Sequence, residues 1–311
     1  MKLGFIKPTY PGEKRVALLP EHIDAFENEI VIECGFGQVL GISDVQYAEK
    51  GCRICSRAEV FADCDAVFCL KLLQPTDYDF IRNGQMIIGW THPTGSGSTF
   101  FNTIAQEKHL KIVDLDNIYP KIYWDNLQKP ISFLEKNFIW RNSFIAGIAS
   151  VQDALLRFGL LPDSSVKVAV LSSGNVAQGA FNYLSRMGVD VRMFYRKTMN
   201  EFYTTLPDYD VIVNGIEVDV PGIHILSKDD LTKVKKGCLL IDAAADAGNA
   251  IEGTHYASID EPIYEEGGLY FYEVNNAPSL LFRNASYEIS KAFSKLIYKY
   301  DINRFFDLID Q

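Results

Sequence analysis

The sequence predicts an α/β protein made of two domains, and three observations lead to that fold class. The chain has 311 residues, and a single hydrophobic core rarely grows beyond about 250–300 residues. Short apolar runs alternate with stretches of helical periodicity, a pattern typical of mainly parallel sheets covered by helices. A strand, a glycine-containing turn and a helix begin near residue 166, which indicates a second α/β domain in the later half of the chain.

The composition narrows the class of protein. A hydrophobic share of 48% and a charged share of 23% suit a globular chain with a large core. The formal net charge of −10 disfavours nucleic acid and anionic membranes as partners, because both are polyanions. The first residues lack the apolar core of a signal peptide, and no run approaches the ~18 apolar residues of a membrane span. We therefore expect a cytoplasmic protein that acts on small molecules.

The six cysteines are expected to be reduced and to pack as small apolar residues. Cys52 and Cys55 form a C-x-x-C pair, which could indicate zinc or redox chemistry. A zinc site needs a second ligand pair at suitable spacing, and neither Cys64 with Cys69 nor any nearby histidine supplies one. No metal site is predicted.

The first domain is expected to contain a sheet of short buried strands. The runs that predict these strands are "KLGFIK", "EIVIECGFG", "AVFCLKL", "GQMIIGWTHP" and "HLKIVDLDNI". A helix should precede the third of them, in "AEVFADCD". Between the first two strands, "EKRVALLPEHIDAF" predicts a loop that enters a helix, with Pro20 near the first helical turn.

The second domain is placed at residues 141–275, where the long helix "SFIAGIASVQDALLRFG" ends at Gly159. The strands that should follow are "VKVAVL", "DVRMFY", "YDVIVNGI" and "GCLLIDAAADAG". The apolar stripe of the final stretch predicts one or two helices that pack back on the first domain. The first domain would then be discontinuous and comprise residues 1–140 and 276–311.

The turn after "VKVAVL" has the pattern S-x-G-x-x-A-x-G and opens a helix, which is the context in which a glycine motif indicates dinucleotide binding. Gly174 would let a pyrophosphate approach the backbone, and the amides of Asn175 and Val176 would face the phosphates. Ala177 allows close packing of helix on strand. Ser172 replaces the usual first glycine and fits the tight turn if its φ stays negative. A Rossmann-type domain is predicted.

The next strand ends in "FYRK", where NAD enzymes usually carry an acid that binds the ribose. No carboxylate is present there. Arg196 and Lys197 instead offer cationic donors that suit a ribose 2′-phosphate, although such a pair could also be a solvated strand end. The missing acid favours NADP(H) over NAD(H) as the cofactor.

Three polar side chains of the first domain stand beside apolar runs: Arg15 in "GEKRVALLP", Lys71 in "FCLKLLQP" and His92 in "GWTHP". Each alone could be a snorkelling surface residue or a structural histidine. Together at one sheet edge they would supply a carboxylate clamp, a second cation and a proton donor that titrates near neutral pH.

These motifs resemble the alanine dehydrogenase, transhydrogenase and saccharopine dehydrogenase superfamily along nearly the whole chain. "GEKRVALLP", "LKLLQP", "GWTHP" and "LIDAAADAGNAIEG" occur in the family order. More narrowly, "SSGNVAQGAF", "YRKTM" and "DAAADAGN" resemble a branch whose members use NADPH to condense pyruvate reductively with the side-chain amine of ornithine or lysine. The resemblance implies a homo-oligomer with the active site in the cleft between the two domains.

The resemblance also implies roles for single residues. Arg15 would bind the keto acid, Lys71 would hold or polarise its carbonyl group, and His92 would be the acid/base. Asp246 would lie beside the nicotinamide ribose, and Asn276 near the nicotinamide. The complete set of candidate cofactor-binding residues is Ser172, Gly174, Asn175, Val176, Ala177, Arg196, Lys197, Asn214, Asp246 and Asn276.

Three other interpretations stay open. An alanine dehydrogenase would use ammonia with the same clamp and usually prefers NAD. A saccharopine-type enzyme would condense 2-oxoglutarate with lysine and needs a further cation, for which Arg141 and Arg283 are candidates. A non-catalytic NADP-binding sensor could share the fold, and it would give Lys71 and His92 no role.

Overall fold

The computed structural model describes residues 1–116, 118–218, 220 and 222–310, and the chain divides into two compact units. Unit 1 contains Met1–Ile139 and Phe282–Gln311, and unit 2 contains Trp140–Leu281. The sequence predicts the second boundary between residues 275 and 276, whereas the structure places it between Leu281 and Phe282. Residues 276–281 stay with unit 2, because the 3₁₀ turn Ala277–Leu281 packs against the long helix that begins at Trp140.

The sheet of unit 1 is parallel over six strands and ends in an antiparallel extension. Its strands are β1 Lys2–Phe5, β2 Glu29–Glu33, β3 Arg53–Cys55, β4 Ala66–Cys69, β5 Met86–Gly89, β6 Lys111–Asp114, β7 Lys121–Trp124 and β8 Leu127–Pro130. The order is β3-β2-β1-β4-β5-β6-β7-β8, with β7 and β8 antiparallel. Every residue of β4 and β5 is buried, as expected for strands covered on both faces.

The sheet of unit 2 has the order β10-β9-β11-β12-β14-β13, with only β13 antiparallel. Its strands are β9 Lys167–Leu171, β10 Asp190–Phe194, β11 Val211–Asn214, β12 Leu239–Asp242, β13 Ile263–Glu266 and β14 Leu269–Tyr272. Because β9 pairs with both β10 and β11, the chain reverses its direction of winding beside β9, the usual place of a ligand in such sheets. The predicted two-domain α/β class with a Rossmann-type domain is confirmed.

Helices cover both sheets. They are α1 Asp44–Ala48, α2 Arg57–Asp63, α3 Ser98–Phe100, α4 Trp140–Phe158, α5 Asn175–Arg186, α6 Met199–Thr204, α7 Lys228–Leu231, α8 Phe282–Phe293 and α9 Asn303–Asp310. Two π-helical turns, Phe101–Ala105 and Ser294–Tyr298, continue α3 and α8. The terminal helices α8 and α9 belong to unit 1, which makes that unit discontinuous.

The helix predicted in "EKRVALLPEHIDAF" is wrong, since only the 3₁₀ turn Pro20–His22 forms. The preceding residues 15–19 are buried without regular structure, so side chains must satisfy their backbone groups. The amides of Val16 and Leu19 donate to the hydroxyls of Ser286 and Ser290 on α8, both at 2.8 Å. These contacts hold the loop that carries Arg15.

The structure bears on two further expectations, namely that the cysteines are reduced and that the chain has no membrane span. All six thiols are free, and burial raises the pKa of Cys52 to about 11 and that of Cys64 to about 12. Thiols held in the protonated form are poor metal ligands and poor nucleophiles. Among the described residues, no helix is both long and apolar enough to cross a membrane.

The contact between α4 and α5 depends on two glycines. A methyl group on Gly179 would lie 1.9 Å from the carbonyl oxygen of Phe144, and one on Gly147 would lie 1.9 Å from that of Val176. We expect Gly179→Ala to lower the free energy of unfolding by about 1–3 kcal/mol, because backbone on both sides has to move. Urea denaturation measures this, with Gly95→Ala, which has open space around it, as the control. Equal stability of the two variants would contradict the prediction.

Candidate functional site

Arg15, Lys71 and His92 follow three neighbouring strands of unit 1, namely β1, β4 and β5. The strands are parallel, so their carboxyl ends meet at one edge of the sheet. The structure brings the three side chains together: the charge of Lys71 acts on His92, and that of Arg15 acts on Lys71. The polar cluster expected at this edge is therefore present.

Arg15 is held by a carboxylate that sequence reasoning missed. Its Nε and Nη2 donate to the two oxygens of Glu13 at 2.8 and 2.5 Å, and its guanidinium stacks 4.7 Å from the ring centre of Trp90. Arg15 is 2% exposed. Burial alone would raise the pKa of Glu13, but the guanidinium more than offsets this, and the pKa of Glu13 lies below its ordinary value. Glu13 thus orients Arg15 as a charged group.

The ammonium group of Lys71 lies over the ring of Tyr10, with Nζ 5.5 Å from the ring centre. Burial lowers its pKa, and the negative charge of Asp116 opposes that effect. Arg15 lowers the pKa further. A buried ammonium whose pKa is lowered can serve as a hydrogen-bond donor to a carbonyl oxygen and also exchange a proton more easily than an exposed lysine.

His92 forms an ion pair through Nε2 with Asp116, in the loop after β6. The charge of Asp116 is the main cause that raises the pKa of His92, against the effect of burial. The backbone of His92 adopts φ +44°, and its amide donates to Asp114 at 3.3 Å. A positive φ is unfavourable outside glycine and is often kept at functional sites. The ring is thus oriented, and it is protonated more readily than a free imidazole.

Asp116 could have been found from the sequence, whereas Glu13 could not. Asp116 stands two residues beyond β6, in "VDLD", at the same sheet edge as the other polar residues. Glu13 lies in a loop with several charged residues, and nothing local separates it from Lys14. Arg141 and Arg283, the candidates for a further cation, are exposed and lie over the rings of their neighbours Trp140 and Phe282.

The glycine turn of unit 2 lies between β9 and α5. Gly174 is the N-cap of α5 and offers no side chain to its first turn. A helix leaves its first amides without intrahelical acceptors, so this end favours phosphate oxygens. Asn175 and Val176 begin the helix, and Ala177 is buried against the backbone of Gly215. The turn therefore fits the pyrophosphate of a dinucleotide.

The expectation that Ser172 keeps a negative φ is wrong, because its φ is +110°. Two contacts hold this conformation. The Ser172 amide donates to the carbonyl of Phe194 at 2.7 Å, which ties the turn to the end of β10, and the Ser172 hydroxyl accepts from the Gly174 amide at 3.0 Å. The serine therefore adopts the backbone conformation of the glycine it replaces.

Arg196 and Lys197 follow β10, next to this turn, and both are exposed. They lie in a tight turn that Thr198 closes, since its amide donates to the Tyr195 carbonyl at 2.7 Å and its hydroxyl accepts from the Tyr195 amide at 3.1 Å. Arg192, earlier on the same strand, is paired with Glu201. The two exposed cations thus follow the second strand of unit 2, the position at which Rossmann-type sheets contact the ribose of a dinucleotide.

Asp246 is fixed in the loop after β12. Its carboxylate accepts from the amide of Val218 at 2.8 Å and from the side chain of Asn249 at 2.7 Å, and its own amide donates to Asp242 at 2.9 Å. Asn214 is fully buried, and its amide group is bonded to Asp242 and to the backbone of Ile216. Its visible role is to support the loop of Asp246.

A second carboxylate under this loop was missed by sequence reasoning. Glu273, at the end of β14, is 0% exposed, and burial together with the neighbouring Asp242 raises its pKa to about 10. Burial also raises the pKa of the neighbouring Asp242. Asn276, three residues later, is 2% exposed. The predicted dinucleotide-binding residues thus lie at or after the carboxyl ends of five strands of unit 2, namely β9, β10, β11, β12 and β14.

Models of two protein-family domains match the chain. The model of the alanine dehydrogenase/PNT N-terminal domain matches residues 4–121, and that of the C-terminal domain matches residues 178–310. The two matches occur in chain order and together cover most of the sequence.

Individual relatives are similar over almost the full length. A protein of Clostridium botulinum named N(5)-(carboxyethyl)ornithine synthase is 52% identical, over 99% of this chain and 98% of its own. One of the same name from Lactococcus lactis subsp. lactis is also 52% identical over the same shares. A solved structure of an L-alanine dehydrogenase has the same fold, with a TM-score of 0.77 at 19% identity, over 96% of this chain and 89% of that one.

Proposed function

The chain belongs to the alanine dehydrogenase/PNT family, and from that premise we propose that it uses NADPH to condense pyruvate reductively with the side-chain amine of ornithine or lysine. The product is an N-(1-carboxyethyl) amino acid. The chain is an oxidoreductase that acts on CH–NH bonds, with a nicotinamide dinucleotide as cofactor. The observation that carries the proposal is the cluster of Arg15, Lys71 and His92 in a chain so similar to enzymes named for this condensation.

The cluster can bind and activate a 2-oxo acid. Arg15 binds the pyruvate carboxylate, and Lys71 donates to the ketone oxygen and makes its carbon more electrophilic. The neutral terminal amine of the second substrate adds to that carbon, and a proton passes from the nitrogen to the oxygen. The resulting hydroxyl leaves as water after accepting a proton from His92, and a C=N bond forms. A bound NADPH supplies the hydride that reduces this bond.

The dinucleotide-binding residues have separate tasks. The first turn of α5 binds the pyrophosphate, and Arg196 and Lys197 bind the 2′-phosphate that distinguishes NADPH from NADH. Asp246 and Asn276 orient the nicotinamide end. Asn214 and Asp242 hold the loop of Asp246 in place, because the Asn214 side chain donates to Asp242 and Asp242 accepts from the Asp246 amide.

A matrix of substrates tests this function. NADPH oxidation is measured with pyruvate or 2-oxoglutarate against ornithine, lysine and ammonia. We expect oxidation with pyruvate and a diamino acid. Oxidation with ammonia alone would indicate an alanine dehydrogenase, oxidation with 2-oxoglutarate and lysine a saccharopine-type enzyme, and none at all would overturn the proposal and favour a sensor.

The pH dependence of turnover should report the pair of His92 and Asp116. His92 acts as an acid, so turnover is full below its pKa and falls as pH rises through it. Asp116→Asn removes the charge that raises the pKa of His92. The falling limb of the pH profile of kcat/KM should therefore move to lower pH, whereas Asp125→Asn, beside the exposed His109, should leave it unchanged. A falling limb that stays in place in Asp116→Asn would contradict this assignment.

The backbone of Ser172 should limit which residues can bind the cofactor. Glycine adopts φ +110° without strain, whereas a β-branched residue does so at a cost of about 1–3 kcal/mol. We expect Ser172→Val to weaken NADPH binding by about tenfold or more and Ser172→Gly to change it by less than about threefold. Fluorescence titration of NADPH measures both affinities. Similar affinities of the two variants would contradict the expectation that the backbone conformation at residue 172 strains a β-branched residue.

A further inference from the structure

A cavity of about 350 Å³ opens in unit 1 between two loops that follow neighbouring strands. One wall is formed by residues of the loop after β1, and the other by residues of the loop after β2. Because β1 and β2 are parallel neighbours, the cavity lies at the same sheet edge as Arg15. Its volume is within the ~300–1,000 Å³ typical of small-molecule sites.

The polar lining of the cavity carries net positive charge. Lys7 and Lys14 both line it, while the negative charge of Glu13 is neutralised by its ion pair with Arg15. Lys14 is exposed, and the side chain of Lys7 is 44% exposed, with Nζ 2.9 Å from the carbonyl of Cys34 and 3.4 Å from Oε1 of Glu33, which does not line the cavity. The cavity therefore favours a ligand with a carboxylate.

Two polar atoms converge at one side of the cavity. A methyl group on Gly35 would lie 3.6 Å from Lys7 Nζ and 3.4 Å from Gln38 Oε1, so a donor and an acceptor stand a few ångströms apart around a residue without a side chain. This arrangement matches the head of an α-amino acid, in which a carboxylate and an ammonium group share one carbon.

The remaining lining suits a hydrocarbon chain and leads to the reacting groups. Pro8, Phe36 and Val39 supply apolar surface. Glu13 and Arg15, which also line the cavity, act electrostatically on Lys71. The cavity therefore borders the cluster that activates the keto acid in the proposed function.

We propose that this cavity binds the α-amino-acid head of the diamino acid, an inference that rests on the proposed function and extends it. Lys7 and Lys14 bind the α-carboxylate, and Gln38 accepts from the α-ammonium. The methylene chain lies along the apolar wall and places the terminal amine at the pyruvate carbonyl. Binding of the α-amino-acid head, which does not react, thus positions the terminal amine, which does. Ammonia has no such head and is not positioned by the cavity.

Lys14→Met and Gln38→Leu test the cavity, with Lys50→Met, an exposed lysine near the end of α1, as the control. In both cavity variants we expect KM for ornithine to rise by about tenfold or more, with KM for pyruvate and Kd for NADPH changed by less than about threefold. Butane-1,4-diamine, which lacks the carboxylate, should react equally slowly with the wild type and with Lys14→Met. Unchanged KM for ornithine in both cavity variants would overturn the inference.

Calorimetric titration of ornithine separates this inference from the proposed function. If the wild type fails to oxidise NADPH with pyruvate and any diamino acid, the proposed function is lost. Ornithine binding that is present in the wild type and weakened by about tenfold in Lys14→Met would then still support the cavity as an amino-acid site. Equal binding by the two proteins, or binding by neither, would overturn it.

Discussion

His92→Ala is expected to lower kcat/KM by about 10²–10⁴-fold, the range over which a positioned acid or base accelerates a reaction. The variant removes the only proton donor that the proposed mechanism assigns to the departing hydroxyl. NADPH binding should change by less than about threefold, since His92 belongs to unit 1 and the candidate cofactor-binding residues belong to unit 2. Steady-state kinetics and NADPH titration on the same preparation separate the two effects.

The chain offers a matched control for this variant. His109 also pairs with a carboxylate, Asp125, at 2.9 Å, but both side chains are exposed. His109→Ala should keep turnover within about twofold of the wild type. If His92→Ala loses no more than His109→Ala, His92 has no part in the mechanism.

Arg196→Asp is expected to weaken NADPH binding by about 10–100-fold, because the variant removes a charge-assisted hydrogen bond to the 2′-phosphate and the loss of one such bond changes an affinity by that factor. NADH lacks the 2′-phosphate, and an aspartate here can accept from its ribose hydroxyls. The affinity for NADH should therefore stay equal or improve, and the preference between the two cofactors should fall or reverse. Kd values for both, measured by fluorescence titration at one ionic strength, give the ratio.

A charge-matched control excludes a general electrostatic effect. Arg186 is exposed in the last turn of α5, at the opposite end of the helix from the phosphate turn, about 18 Å away. Arg186→Asp changes the net charge equally and should leave the cofactor ratio unchanged. A ratio unchanged in Arg196→Asp as well would refute the assignment of NADP.

Most parallel strands of both units could be predicted because they are short continuous apolar runs, but the parallel strands β3 and β14 were missed. The hairpin of β7 and β8 was missed although "KIYWDNLQKP" contains a two-residue turn, with Asp125 at φ +39°. Its strand β8 is mostly exposed, so it lacks the apolar run that identified the others. The predicted helix at Pro20 ends after one 3₁₀ turn, where His22 Nδ1 lies 2.9 Å from the hydroxyl of Ser290, a residue far away in the sequence.

The residues of the candidate site also fall into those that the sequence predicts and those that it does not. Arg15, Lys71 and His92 could be predicted because each interrupts or ends an apolar run. Glu13 was missed because nothing in its charged loop separates it from Lys14, and Asp116 was missed although it follows β6 at the same sheet edge, where it pairs with His92. The positive φ of Ser172 depends on a hydrogen bond to Phe194 at the end of the next strand, which local steric reasoning did not include.

The bond between Val16 and Ser286 joins residues 270 positions apart, and this has a consequence for biosynthesis. A ribosome releases the chain from its amino terminus, so Arg15 emerges early and α8 emerges last. Unit 2 is continuous and can fold while it is being synthesised. The loop of Arg15 cannot take up its buried form until α8 has left the ribosome. The proposed keto-acid clamp is thus encoded first and completed last, so a ribosome that stalls after residue 281 would release a chain with a complete unit 2 and an incomplete loop of Arg15.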